Sequence, residues 1–212
     1  MGGMPPEPRL RADAQKNREL LVRAAIEVFT VDGFDAPLED VARAAGVGIG
    51  TLYRRFPDRT ALIVGVVRES LTTLVAEVGA AIREQPDSWS VLTHALPRPG
   101  EFSVSMRSIL SLPQSVRVAV GRDPNIVGLR RQLSDQIEGV VTRAQAEGSL
   151  RPDIGSGDVL RLFGLLTLAK RRTPEEVAAA DRIRLIVLDG LRSGATSELP
   201  GTAASAEEIV RR

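Results

Sequence analysis

Between Gly33 and Pro57 the chain is punctuated so closely that only two helices of about two turns each fit. Gly33 stops whatever precedes it. Pro37 suits the first turn of a helix, where its missing N–H is no loss. Leu38, Val41, Ala42 and Ala45 then supply that helix with an apolar stripe. Gly46 ends it, and after a two-residue turn a second short helix runs from Ile49 to Arg55, closed by Pro57. Two short helices joined so tightly form a unit in which one helix braces while the other enters a groove of a duplex.

The flanking sequence extends the same helical pattern. Leu21, Ala25, Val28 and Phe29 predict a helix over Gln15–Val31. Asp58 is a candidate N-cap for a long helix from Arg59 to about Glu84, buried through Leu62, Val66, Leu71, Leu74, Val75 and Val78. Further helices are predicted over Ser88–Ala95, Glu101–Leu112, Pro113–Val120, Asn125–Glu147, Ser156–Lys170 and Pro174–Arg192, with Pro97, Pro99 and Gly100 as a break. No segment alternates with period two, so no sheet is expected. The fold class is all-α: a three-helix helix-turn-helix domain over 15–60, joined by the long fourth helix to a larger helical domain over 61–193. A flexible arm is expected over 1–14 and a disordered tail over 194–212.

Composition narrows the chemistry. Hydrophobic residues make up 43% of the 212 but aromatics only 3%, so the core is aliphatic, as helix-on-helix packing favours. The absence of cysteine excludes disulfides and thiolate catalysis. A single histidine, with no HExxH pair and no Gly-x-Ser-x-Gly elbow, leaves an all-helical enzyme without an obvious base or nucleophile. No metal site or cofactor is expected. No apolar run reaches the ~18 residues of a membrane span, and the N-terminal stretch lacks the apolar core of a signal peptide, so no membrane partner and a cytoplasmic location are expected. Net charge is only +1, and residues 1–60 hold nine basic and nine acidic side chains. Attraction to phosphate must therefore be local: Arg54, Arg55 and Arg59 against Asp58. A solvated face looks the same. Gly48 and Gly50 in the first turn of the short helix fit either a loose helix start or close backbone approach to a partner. Tyr53, the sole tyrosine, fits a half-buried ring or a base contact.

The stretch GFDAPLEDVARAAGVGIGTLYRRFPDRTAL, Gly33–Leu62, resembles the DNA-binding region of the tetracycline-repressor (TetR) family. AGVGIGTLYRRFPDR is its most specific part, and Ala24, Ala25 and Phe29 before Gly33-Phe34 fit as well; the likeness covers about fifty residues. It implies double-stranded DNA, a palindromic operator, as partner. Gly48 stands at the start of the reading helix, and Gly50, Thr51 and Tyr53 would face base edges. Arg54, Arg55 and Arg59 would meet phosphates, while Leu52 and Phe56 hold the helix in place. Many members carry serine where Gly48 stands and lysine where Arg59 stands. Arg9, Arg11, Lys16 and Arg18 could add contacts from the arm.

The resemblance also implies a small-molecule pocket in the larger domain. Trp89, His94, Phe102, Met106 and Phe163 are scarce bulky residues able to line a cavity or simply to fill the core. The last two helices are apolar nearly all round, so each needs cover on two sides. Either one helix is central to the monomer, or Leu162, Leu166, Ile183, Val187 and Leu191 face a second copy in a homodimer, which the resemblance favours. The expectation is a DNA-binding regulator, a repressor released by a small-molecule effector, with an effector-free DNA-binding protein and an all-helical enzyme as the alternatives.

Overall fold

The computed structural model describes residues 8–96, 112–166, 173–194 and 197–206, with side chains from Lys16 onward. The helices are α1 Pro8–Asp32, α2 Leu38–Ala44, α3 Ile49–Arg55, α4 Arg59–Glu84, α5 Ser88–Ala95, α6 Gln114–Arg122, α7 Pro124–Ala146, α8 Ser156–Leu166 and α9 Pro174–Leu191. Among the described residues the only strand-like pairing is an isolated antiparallel bridge between Leu150 and Arg192. The predicted helix over Glu101–Leu112, with Phe102 and Met106, lies outside the described residues except for Leu112.

Two compact units divide within α4, between Glu69 and Ser70. The first is built by α1, α2, α3 and the start of α4. α1 begins at Pro8, inside the stretch expected to be a flexible arm. Proline is favoured at a first helical position, and no breaker separates Arg9 from Gln15. The core of this unit is Leu21, Ala25, Phe29, Phe34, Leu38, Val41, Leu52, Phe56, Leu62 and Val66, all buried. The Phe29 and Phe34 rings meet edge-on with centroids 5.2 Å apart. Leu62, Ile63, Val66 and Val67 belong to this core, so the first unit extends past residue 60. The turn between α2 and α3 depends on Gly46, whose φ of 69° an L side chain rarely adopts. It lets the N–H of Gly46 reach the Arg43 carbonyl and the N–H of Val47 that of Ala42, closing α2.

In the second unit, α4 from Ser70 on, α5, α7, α8 and α9 share one core around Val78, Leu92, Ile137, Val140, Leu150 and Val159. Asp87 caps α5 by accepting the Ser90 N–H at 2.7 Å, and that bond holds its carboxyl below the ordinary range. α6 does not stop at Gly121 but runs to Arg122. Asp123 then caps α7 through the N–H groups of Asn125 and Ile126, and Pro124 forbids a continuous helix. The tail expected to be disordered is docked over part of its length. Ala204 and Ala206 are buried, the Ala204 carbonyl accepts from the Gly157 N–H at 2.9 Å, and the Ala206 N–H donates to Ser156 Oγ at 2.9 Å. A Cβ on Gly157 would stand 2.4 Å from the Ser205 carbonyl oxygen, so only glycine admits this approach.

Candidate nucleic-acid interface

α3 turns one edge inward and leaves the rest bare. Leu52 is wholly buried and Phe56, just past the helix, nearly so; together they fasten α3 to the unit. Truncating a side chain buried like Leu52 costs about 2–5 kcal/mol. Gly48, Ile49, Gly50, Tyr53, Arg54 and Arg55 are exposed and Thr51 is half-buried. Gly48 is the N-cap, in extended conformation and without a side chain to cap with. Neither Gly48 nor Gly50 has a positive φ, and a Cβ on either would meet no atom within 4 Å. Tyr53 is 48% exposed, so its ring is not a core residue. Arg54 Nη2 donates to Thr51 Oγ1 at 3.0 Å, which orients the guanidinium along the helix and leaves the threonine hydroxyl hydrogen free to donate outward. The face so formed carries a hydroxyl, a phenol and two cations over a stem of glycines, which is a surface that can approach a groove floor while its arginines reach the walls.

Arg59 departs from its expected role. Its Nη1 donates to the carbonyls of Phe34 and Ala36, at 2.6 and 2.7 Å, bracing the α1–α2 connection against the start of α4. The guanidinium satisfies two buried-edge acceptors that no helix serves. Arg18 is likewise engaged, its guanidinium carbon 5.2 Å from the centre of the Phe56 ring. At the N-terminus of α4, Asp58 accepts the Ala61 N–H at 2.8 Å, so one of the groups that could have met a phosphate is already occupied. The cationic part of the exposed face is Arg54 and Arg55.

The larger unit rearranges the other predicted sites. Trp89 is half-buried with the Arg192 guanidinium 4.5 Å over its ring, His94 is exposed, and Phe163 is buried in the core. Leu166 and Leu191 point into their own unit, and Leu162 and Val187 are half-buried against its core. Of the five residues expected to meet a second copy, only Ile183 is exposed, alongside Leu165, Leu185 and Ile186 on the same two helices. In a helix apolar all round, spacing alone does not say which stripe faces in. Leu162, Val187 and Leu191 instead line a cavity of about 430 Å³ beneath the docked tail, together with Ile154 and Leu199.

A tight helix-turn-helix whose second helix is anchored by two residues and bare elsewhere defines a DNA-binding module of the kind that reads a major groove. Comparison with known proteins agrees. Residues 21–66 match the pattern of bacterial regulatory proteins of the tetR family, and residues 108–193 match the C-terminal domain of SbtR-like transcriptional regulators. The TetR transcriptional regulator SCO0520 from Streptomyces coelicolor is 33% identical over 85% of this chain and 99% of its own, with a TM-score of 0.61. The regulator FadR from Bacillus subtilis, solved with stearoyl-CoA, shares the fold at 14% identity, a TM-score of 0.59, and coverage of 82% of this chain and 99% of its own. An HTH-type transcriptional regulator of Staphylococcus aureus is 26% identical over 102 residues, 48% of this chain and 55% of that protein, so the match spans about half of either. This chain belongs to the TetR family of DNA-binding transcriptional regulators.

Proposed function

We propose that the chain is a cytoplasmic repressor that binds a palindromic operator as a homodimer and is released from it by a small-molecule effector held in the larger unit. The observation that carries the DNA contacts is the exposed edge of α3: Gly48, Gly50, Thr51, Tyr53, Arg54 and Arg55, held out by buried Leu52 and Phe56. Thr51 and Tyr53 read base edges, and Arg54 and Arg55 hold phosphates. Pairing of two copies is supported by the exposed apolar stripe on α8 and α9, and twofold readers need two half-sites one or more helical turns apart. Release by an effector is supported by the stearoyl-CoA bound to a protein of the same fold, and by α4, which runs unbroken across the division between the units and offers a continuous element to shift.

The contact assignment is tested with Tyr53→Ala. Gel-shift titration against a selected operator is expected to show binding weakened about tenfold or more, and a smaller preference over unrelated DNA, since one good base contact carries about 1–3 kcal/mol of discrimination. Operator binding indistinguishable from wild type would remove Tyr53 from the interface.

A further inference from the structure

The tail crosses the second unit as a strap pinned at both ends. At its start, the buried Arg151 donates to the Ser197 carbonyl while also holding both Asp153 oxygens and the Gly190 carbonyl. At its end, the Ala204 N–H donates to Asp158 Oδ2 at 3.1 Å and the Ala206 N–H to Ser156 Oγ at 2.9 Å. Between these pins Gly201 takes a φ of 86°, and residues 199–203 span a cavity of about 430 Å³ instead of settling onto α8 and α9. Protein interiors hold few voids larger than a water molecule, whereas ligand pockets run to about 300–1,000 Å³. The space under the strap is of the second kind.

Its walls are apolar: Ile154, Leu162, Val187, Leu191 and Leu199. Leu162 and Val187 are only half-buried and Leu199 is 45% exposed, so a guest with an apolar body would remove further apolar surface from water. The charges lining the cavity cancel in pairs, Arg151 with Asp153 and Arg161 with Asp158. An anion would stand beside two carboxylates and a cation beside two guanidiniums, so an uncharged guest fits best. Most of the polar capacity is already spent. Arg151 is engaged at every nitrogen, and Asp158 Oδ2 takes the N–H groups of Gly155 and Ala204. Arg161 differs. Among the described residues it meets only Asp158 Oδ1, at 3.5 Å, which leaves N–H donors at the edge of the cavity for a neutral oxygen. We infer that the space beneath the strap is a binding site for an uncharged, mainly apolar small molecule bearing a carbonyl-type oxygen, which Arg161 receives. The site lies wholly within the second unit and requires no DNA.

Nile red, uncharged and brighter in apolar surroundings, is titrated into the full-length protein without DNA. It is then displaced by four guests of similar size: acetonaphthone, naphthalene, naphthoate and naphthylmethylammonium. Acetonaphthone is expected to displace the dye about tenfold more tightly than naphthalene or either ion. Arg161→Ala is expected to bring acetonaphthone down to the level of naphthalene and to leave naphthalene unchanged, as loss of one hydrogen bond from a charged donor requires. Leu199→Trp fills the space from the strap, and Leu162→Trp fills it from α8; each is expected to weaken both neutral guests about tenfold or more. Leu199 belongs to no helix, so its variant keeps the test open if Leu162→Trp does not fold. Displacement by none of the guests, an ion bound more tightly than acetonaphthone, or affinity untouched by the filling variants would overturn the proposal. So would a wild-type dimer that Leu199→Trp turns into a monomer in sedimentation, since the space would then seat a second copy. A chain that takes up acetonaphthone in this way but binds no operator would sink the regulator reading and leave the site standing.

Discussion

On the exposed edge of α3, glycine at position 50 has no internal explanation. Its backbone conformation is open to any residue and a Cβ would meet nothing, yet glycine in a helix is disfavoured by about 1 kcal/mol relative to alanine. An external partner that needs the backbone close accounts for it. Gly50→Ala is therefore expected to raise stability in urea by up to about 1 kcal/mol while weakening operator binding, because a methyl group stands between helix and groove. Unchanged DNA affinity in gel shifts would return Gly50 to a merely loose helix start. Arg59 and Arg55 separate by a different pair of measurements. Arg59→Ala removes donors from the Phe34 and Ala36 carbonyls and is expected to cost about 1–3 kcal/mol of stability with the salt dependence of binding unchanged. Arg55→Ala is expected to leave stability alone and shallow the salt slope by about one unit. The sequence could place three cations near α3 but not say which would turn inward. An arginine beside a turn can serve two carbonyls or a phosphate equally well, and only the path of residues 33–37 decides.

Helix limits were readable wherever the chain stops itself. Ile49–Arg55, Arg59–Glu84 and Ser88–Ala95 match the expectation because Gly46, Pro57, Asp58, Pro86 and Asp87 each act locally. The docked tail was not readable. Small residues such as Ala203 to Ser205 look like a fraying end until Gly155 and Gly157 bring a backbone close enough to bind them. Arg151 helps to fasten the same segment. Its side chain grips both oxygens of Asp153 and donates from Nη2 to the Ser197 carbonyl at 2.6 Å. Those hydrogen bonds hold the Asp153 carboxyl below its ordinary 3.8. The folded value is depressed, so this anchor is intact above the ordinary value and is lost as pH falls through the lower one. Gly157→Ala is expected to displace residues 204–206, so that the Ala204 and Ala206 amides lose protection in hydrogen exchange at neutral pH. Wild type is expected to lose the same protection only in acid below about pH 4. Full protection in the variant would contradict the strap geometry.

At the scale of the whole molecule, the last two helices carry an outer apolar stripe. Leu165, Ile183, Leu185 and Ile186 are 60%, 51%, 57% and 61% exposed, an apolar surface that a lone chain would present to water. The expected all-round apolarity was legible from sequence, but its division into an inner stripe (Leu166, Leu188, Leu191) and an outer one required the core to be in place. Wild type is expected to sediment as a dimer, and Ile183→Glu combined with Leu185→Glu as a monomer with reduced operator affinity. A variant still dimeric would move the interface elsewhere. The central claim, that α3 is presented in duplicate to a duplex, is tested most directly by selecting genomic fragments bound by the wild type and footprinting the tightest. Two symmetric half-sites, centred about 34–36 Å apart or a multiple of that, with major-groove protection abolished by Tyr53→Ala, are the expected result. A single unsymmetrical footprint, or protection untouched by changes on α3, would contradict it.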